Sequence, residues 1–140
     1  MLKLNHIGIA VKSIEKTLPF YQNGLGLTPH IEEVPAMKVR VAKLQTANLP
    51  DWSSGQAGMT IELVEPLEGE QAVTRFLEKR GEGVHHICFG VEDIKAMMKQ
   101  LEAKGYKPLY AEPKIGAGGH LVNFLSPKDT SGVLIEISQQ

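Results

Sequence analysis

Cysteine is almost absent: Cys88 stands alone among 140 residues, so no internal disulfide can brace the fold and nothing in the cysteine count points to an oxidising compartment. Net charge is nearly absent too. Fifteen Lys and Arg against sixteen Asp and Glu leave −1, and without an overall positive field the chain has no means of gathering phosphate backbones or an anionic lipid surface. Nucleic acid and membrane are therefore not expected partners. The amino-terminal Met-Leu-Lys-Leu-Asn-His lacks the long apolar run of a signal peptide or membrane span, and a cytoplasmic location is the expectation. What the chain does have is 42% hydrophobic and 22% charged residues, the balance of a soluble protein that buries a core. At this length one domain is expected rather than two of ordinary size.

The most informative positive feature is an internal repeat. His6-Ile7-Gly8-Ile9-Ala10-Val11 aligns with His86-Ile87-Cys88-Phe89-Gly90-Val91. Further on, Gly26-Leu27-Thr28-Pro29 matches Gly105-Tyr106-Lys107-Pro108, and Gly58-Met59-Thr60-Ile61-Glu62-Leu63 matches Gly132-Val133-Leu134-Ile135-Glu136-Ile137. The landmarks recur in the same order. Each copy opens on a short β-branched strand, and Ser13 or Asp93 then supplies an N-cap for a helix. In the second copy Ile94, Met97, Met98 and Leu101 recur at helical spacing and Gly105 ends the run, with both methionines read as core fillers. In the first copy Pro19 falls inside the pattern, so that helix starts late or bends. Strands are predicted at 38–44, 60–64, 121–125 and 133–137. Residues 70–79 carry Ala72, Val73, Phe76 and Leu77 at helical spacing and form a connector.

The expected organisation is thus a single domain over 1–140, with module one at 1–67, a connector helix at 68–83 and module two at 84–140. A module of roughly 60 residues lies below the size at which one core is comfortably stable, so the halves should need each other. Residues 48–58, including Trp52, have no counterpart of similar length in the second copy and read as a loop insertion.

The polar residues that recur are a His opening the first strand and a Glu in the middle of the last. Side chains alternate along a strand, so Ile7, Ile9 and Val11 pack toward the helix while His6 shares the other face with Gly8 and Ala10. By the same count Glu62 and Glu136 face away from Ile61, Leu63, Ile135 and Ile137. A pseudo-twofold pairing of the halves brings His6, Glu62, His86 and Glu136 to one centre. A carboxylate alone in an apolar strand costs several kcal/mol unless paired or metal-bound, and here there are two such strands. Two imidazoles and two carboxylates suit a divalent transition metal with positions left open for substrate, and cobalt, nickel, manganese, zinc and iron all fit. Pairing of a strand Glu with Lys38 or Arg40 is the structural alternative. His85, next to His86, should face the opposite way, and His30 and His120, lacking repeated partners, are expected in loops.

The paired His-Ile-x-x-x-Val openings and the Glu-bearing final strands resemble the vicinal oxygen chelate superfamily. That resemblance implies an α+β fold of two tandem βαβββ modules around a metal-lined cleft. Within it, Leu4-Asn5-His6-Ile7-Gly8-Ile9-Ala10-Val11, Ile61-Glu62-Leu63-Val64-Glu65-Pro66-Leu67, Gly83-Val84-His85-His86-Ile87 and the 112–119 loop Glu-Pro-Lys-Ile-Gly-Ala-Gly-Gly resemble the methylmalonyl-CoA epimerase family. The resemblance implies metal-dependent epimerisation of an acyl-CoA, by loss of the proton α to the thioester through a metal-stabilised enediolate. It also implies metal ligands His6, Glu62, His86 and Glu136, with Glu136 doubling as an acid/base group. Cobalt is the ion it favours, with nickel, manganese and zinc as alternatives, and a homodimer is common in the family. One departure stands out. The family can carry a glutamate on the third strand of the first half, where this chain reads Val39-Arg40-Val41, and Arg40 becomes a candidate for binding the substrate carboxylate. The competing readings are a glyoxalase I acting on a glutathione hemithioacetal, against which stands the Ser126-Pro127-Lys128 turn before the last strand, and a non-catalytic small-ligand binder of the same fold.

Overall fold

β-branched residues alternating with small and polar ones extend the chain at Lys3–Ala10 (β1) and again at Gly83–Val91 (β5). A helix follows each, capped as the sequence predicts. The Ser13 side chain accepts from Lys16 N ahead of Ile14–Pro19 (α1), and the Asp93 side chain accepts from Ala96 N ahead of Ile94–Ala103 (α3). Pro19 ends α1 early, and the chain continues as a π turn over Phe20–Gly24. The first half then adds Leu27–Val34 (β2), Val39–Thr46 (β3) and Thr60–Pro66 (β4), and Ala72–Arg80 (α2) leads to β5. After α3 the second half adds Lys114–Ile115 (β6), Leu121–Leu125 (β7) and Leu134–Gln139 (β8). The computed structural model describes residues 2–46 and 59–140, so the 48–58 insertion with Trp52 lies outside the described residues.

The strands form one mixed sheet in the order β2-β3-β4-β1-β5-β8-β7-β6. Its symmetry is visible in the pairing. β1 runs parallel to β4 and β5 parallel to β8, while the two halves join through the antiparallel β1–β5 contact. The sheet curls into a half-barrel of the vicinal-oxygen-chelate type.

The helices α1 and α3 cover its outer face. Val11, Ile14, Ala42, Leu44 and Leu63 form the core under α1, and Val91, Ile94, Met98 and Ile137 form the core under α3. The connector helix α2 takes the other side. Its Val73 and Leu77 pack on Ala10, Val34, Val39, Val41 and Val64, closing one end of the concave face. The concave face is left open between the two modules, and the residues of matching parity on four adjacent strands, β4, β1, β5 and β8, point into it.

Candidate active site

A cavity of about 1000 Å³ occupies the concave face, and His6, Glu62, His86 and Glu136 all line it. They are 7%, 5%, 4% and 7% exposed, a degree of burial that charged groups tolerate only with partners. His6 Nε2 lies 3.0 Å from His86 Nε2, and Glu136 Oε2 lies 3.2 Å from His86 Nε2 and 3.9 Å from His6 Nε2. One ligand atom from each of these three residues falls within 4.8 Å of the others. Glu62 stands beside the set, its Oε2 3.8 Å from His6 Nε2.

The imidazoles are aimed by two β-bulges. Along the β1–β5 ladder Leu4 pairs with Phe89 and His6 with Cys88, leaving Asn5 as the extra residue; Gly8 pairs with His86 and Ile9 with Val84, leaving His85 as the extra residue. Each bulged residue turns back onto the histidine that follows it. Asn5 Nδ2 donates to Gln140 Oε1 at 3.0 Å, so Asn5 Oδ1 accepts at 2.7 Å from His6 Nδ1, and the Nε2 lone pair of His6 is directed at the cluster. His85 Nδ1 lies 3.0 Å from His86 Nδ1 in the equivalent place. The alternation that predicted His85 on the opposite face fails because the bulge interrupts it. A signal for both positions was present in the repeat, where Asn5 and His85 occupy equivalent places immediately before the two histidines.

Electrostatics and orphaned atoms agree on what the cluster needs. Burial pushes Glu136 up to about 8, with Glu62 adding to the effect, and pushes Glu62 up to about 7. Burial lowers His6 to about 4, with the Lys43 charge assisting, and holds His86 well below its ordinary value, with His6 and His85 assisting. Glu62 Oε2 is buried with no hydrogen-bond partner. Neutral imidazoles, a carboxylate oxygen without a donor and two facing Nε2 atoms form a site that a divalent cation fits, since it would take the lone pairs and balance the buried negative charge.

A family model described as the Glyoxalase/Bleomycin resistance protein/Dioxygenase superfamily matches residues 5–124. The chain belongs to this superfamily. Among relatives, the protein called ethylmalonyl-CoA/methylmalonyl-CoA epimerase of Cereibacter sphaeroides is 39% identical over 140 residues, covering 98% of this chain and 97% of its own. A solved structure described as methylmalonyl-CoA epimerase in complex with methylmalonyl-CoA and NH4+ superposes with a TM-score of 0.88 at 38% identity, covering 100% of this chain and 95% of the other. A variant of the Streptomyces coelicolor methylmalonyl-CoA epimerase in complex with 2-nitronate-propionyl-CoA gives 0.87 at 37% identity over 99% and 96% of the two chains.

In this superfamily member Arg40 does not take the place expected of it. Parity on β3 turns Val39, Val41 and Lys43 toward the concave face and Arg40 toward α1. There the Arg40 guanidinium pairs with Glu15 and lies 4.0 Å from Glu65, whose Oε2 also accepts from Ile14 N at the start of α1. Arg40 therefore ties α1 to the sheet and is corrected out of the substrate-binding role. Arg40→Ala is expected to leave KM unchanged and to cost a small amount of thermal stability; a raised KM with normal stability would reverse this assignment. Of the two histidines expected in loops, His120 is in one and His30 is not. His30 lies on β2 and lines the cavity, and His120, just before β7, lines it while its Nδ1 bonds Gln139 O at 3.0 Å. Among the described residues no helix is long and apolar enough to cross a membrane.

The buried cluster makes stability depend on pH in metal-free protein. Between the ordinary values of 4.5 and 6.5 the folded chain keeps carboxyl protons that the unfolded chain releases, and it lacks imidazole protons that the unfolded chain takes up. These contributions oppose each other. Above 6.5 only the carboxyl difference remains, so stability falls as pH rises toward 7 and 8, until each carboxyl gives up its proton in the folded chain as well. Thermal melts of chelator-treated protein should show Tm declining over this window, and a saturating divalent ion should flatten the decline. A flat profile without metal would contradict the buried carboxyl pair.

Proposed function

We propose that this superfamily member epimerises methylmalonyl-CoA at the carbon between thioester and carboxylate. The observation that carries the reading is the convergence of His6, His86 and Glu136 within one cavity, in a chain matched nearly end to end by proteins named as epimerases of this substrate. Glu136 takes the α-proton from one face. Inversion needs a proton from the other face, and Glu62, on the opposite side of the histidine pair with an unpartnered buried oxygen, is the group positioned to give it. Burial has brought both carboxyls toward neutrality, which suits groups that must take up and release protons near physiological pH. Glu33 lies on the β2 face that turns away from the cavity, the β3 residues facing in are Val39, Val41 and Lys43, and Glu32, which does line the cavity, is engaged by Lys43 Nζ at 3.1 Å and by Gly118 N at 3.1 Å, so Glu62 is the carboxyl left for this role.

His6, His86 and Glu136, with Glu62 beside them, are the residues that would hold a divalent ion. The chemistry such an ion supplies when bound is Lewis-acid stabilisation of the oxygens on which enolate charge develops. Cobalt is the ion that the family resemblance favours, and nickel, manganese and zinc are compatible with the same donors. A homodimer completes the reading, on that resemblance alone, and the near-absence of cysteine suits a cytoplasmic location.

The test is washout of the α-proton of methylmalonyl-CoA in heavy water, run beside isomerisation of a glutathione hemithioacetal, on protein reconstituted with each of these ions. Exchange and epimerisation of the CoA thioester support the reading. No exchange with any ion, or isomerisation of the hemithioacetal alone, would overturn it.

A further inference from the structure

The internal repeat is broken inside the cavity at the residues facing its two carboxyls. Glu62 on β4 and Glu136 on β8 are equivalent, yet the residues paired with them on the adjoining strands are not: Lys43 on β3 faces Glu62, and Phe124 on β7 faces Glu136. The carboxyl of the first module thus has a cationic neighbour across its strand pair and that of the second an apolar one. Lys43 is held in place. Its side chain is 16% exposed, and its Nζ lies 3.1 Å from Glu32 Oε1, while Glu32 Oε2 accepts from Gly118 N at 3.1 Å. The 116–119 turn of the second module closes over the ammonium so tightly that a Cβ on Gly118 would meet Lys43 Nζ at 3.2 Å. An ammonium carries three donors, and one carboxylate oxygen of Glu32 occupies at most one of them. The charge also reaches the cluster, since it helps to lower His6 and offsets part of the rise at Glu62 and Glu136. The other cations lining the cavity are differently engaged: Lys114 Nζ sits 3.9 Å over the Tyr110 ring, and Lys38 Nζ lies near Gly69.

A substrate with one anionic arm and one neutral arm on the reacting carbon matches this asymmetry. Resting on the function proposed above, we infer that Lys43 is a specificity-determining residue whose ammonium receives the free carboxylate of an α-carboxy thioester, while the Phe124 side accepts the uncharged arm. Lys43 thereby takes the part that sequence reasoning gave to Arg40, three positions earlier on the opposite face of the strand.

The experiment uses full-length, cobalt-reconstituted protein, with malonyl-CoA and propionyl-CoA as competitive inhibitors of methylmalonyl-CoA epimerisation. These two thioesters differ in the carboxylate alone. In Lys43→Gln, KM for methylmalonyl-CoA and Ki for malonyl-CoA are expected to rise together by about ten- to a hundredfold, the worth of a charge-assisted hydrogen bond, while Ki for propionyl-CoA stays within twofold. Lys43→Arg should recover most of the lost discrimination. An unchanged preference for malonyl-CoA in Lys43→Gln, or a parallel loss of affinity for both inhibitors at normal cobalt content, would overturn the inference. Should Lys43→Gln not fold, the arginine variant decides: loss of the malonyl-CoA preference there counts against it. Wild-type protein that does not act on methylmalonyl-CoA at all would sink the proposed function instead.

Discussion

Glu136→Gln is expected to lower kcat for epimerisation by about 10³-fold, within the range that a positioned acid/base group contributes. The substitution keeps the shape of the side chain and an oxygen that can face the two histidines. It removes the ability to accept a proton. Glu136 is placed for that task by its strand: Ile137 beside it packs into the core under α3, and its Oε2 lies 3.2 Å from His86 Nε2. Burial, with the Glu62 charge assisting, keeps its proton affinity high enough for transfer near neutral pH, against a smaller opposing hydrogen bond from Cys88. The measurement is kcat together with cobalt content and α-proton washout from each epimer separately. Turnover should collapse while cobalt remains near stoichiometric, and washout should be lost most severely from the epimer whose proton faces Glu136. Wild-type kcat would remove Glu136 as a base. A fall in kcat matched by an equal fall in bound cobalt would leave it as a ligand only.

Much of this arrangement was legible before any coordinates, because a duplicated chain gives each landmark a second witness. One His in a strand says little, but His6 and His86 at equivalent places, with Glu62 and Glu136 equivalent in turn, fixed the parity of four strands, and all four side chains line the concave face. The failures have separate physical causes. Simple alternation predicted His85 on the wrong side because a bulge inserts a residue without leaving a mark in hydrophobic periodicity. Arg40 becomes a candidate because the family can carry a glutamate at that place on the third strand; the parity count used on β1, applied to β3, rejects it in favour of Lys43. His30 reads as a loop residue because it has no partner in the repeat, yet Leu27–Val34 is an edge strand, a position that tolerates its proline and two glutamates. What periodicity could not convey was the asymmetry between Lys43 and Phe124, since it depends on which residues of neighbouring strands come into register.

Gly8→Ala is the substitution expected to dismantle the site with the least chemical change. A Cβ at this position would lie 2.0 Å from His86 Cε1, 2.4 Å from Nδ1 and 2.5 Å from Nε2, because the imidazole rests directly on the glycine backbone. Contacts this short are not sustained, so either the strand or the ring must move. The strand is held on both sides, with Gly8 paired to Glu62 on β4 and to His86 on β5 in the middle of the sheet. The ring is the softer partner, and swinging it away opens the 3.0 Å approach to His6 and the 3.2 Å approach to Glu136. Cobalt affinity should therefore fall by at least the 10- to 100-fold, in rough terms, that loss of ligand support costs, and turnover at limiting metal should fall with it. The repeat supplies the control. Cys88 occupies the equivalent place in the second copy, where it pairs with His6 and is fully buried, so Cys88→Ala, which keeps a Cβ there and removes only the thiol beside Glu136, should cost far less cobalt affinity than Gly8→Ala. Equilibrium dialysis of cobalt against both variants, with circular dichroism to confirm the fold, separates the outcomes. Wild-type cobalt affinity in Gly8→Ala would mean that His86 does not rest on β1 in the folded protein, and the three-residue cluster would lose its second imidazole.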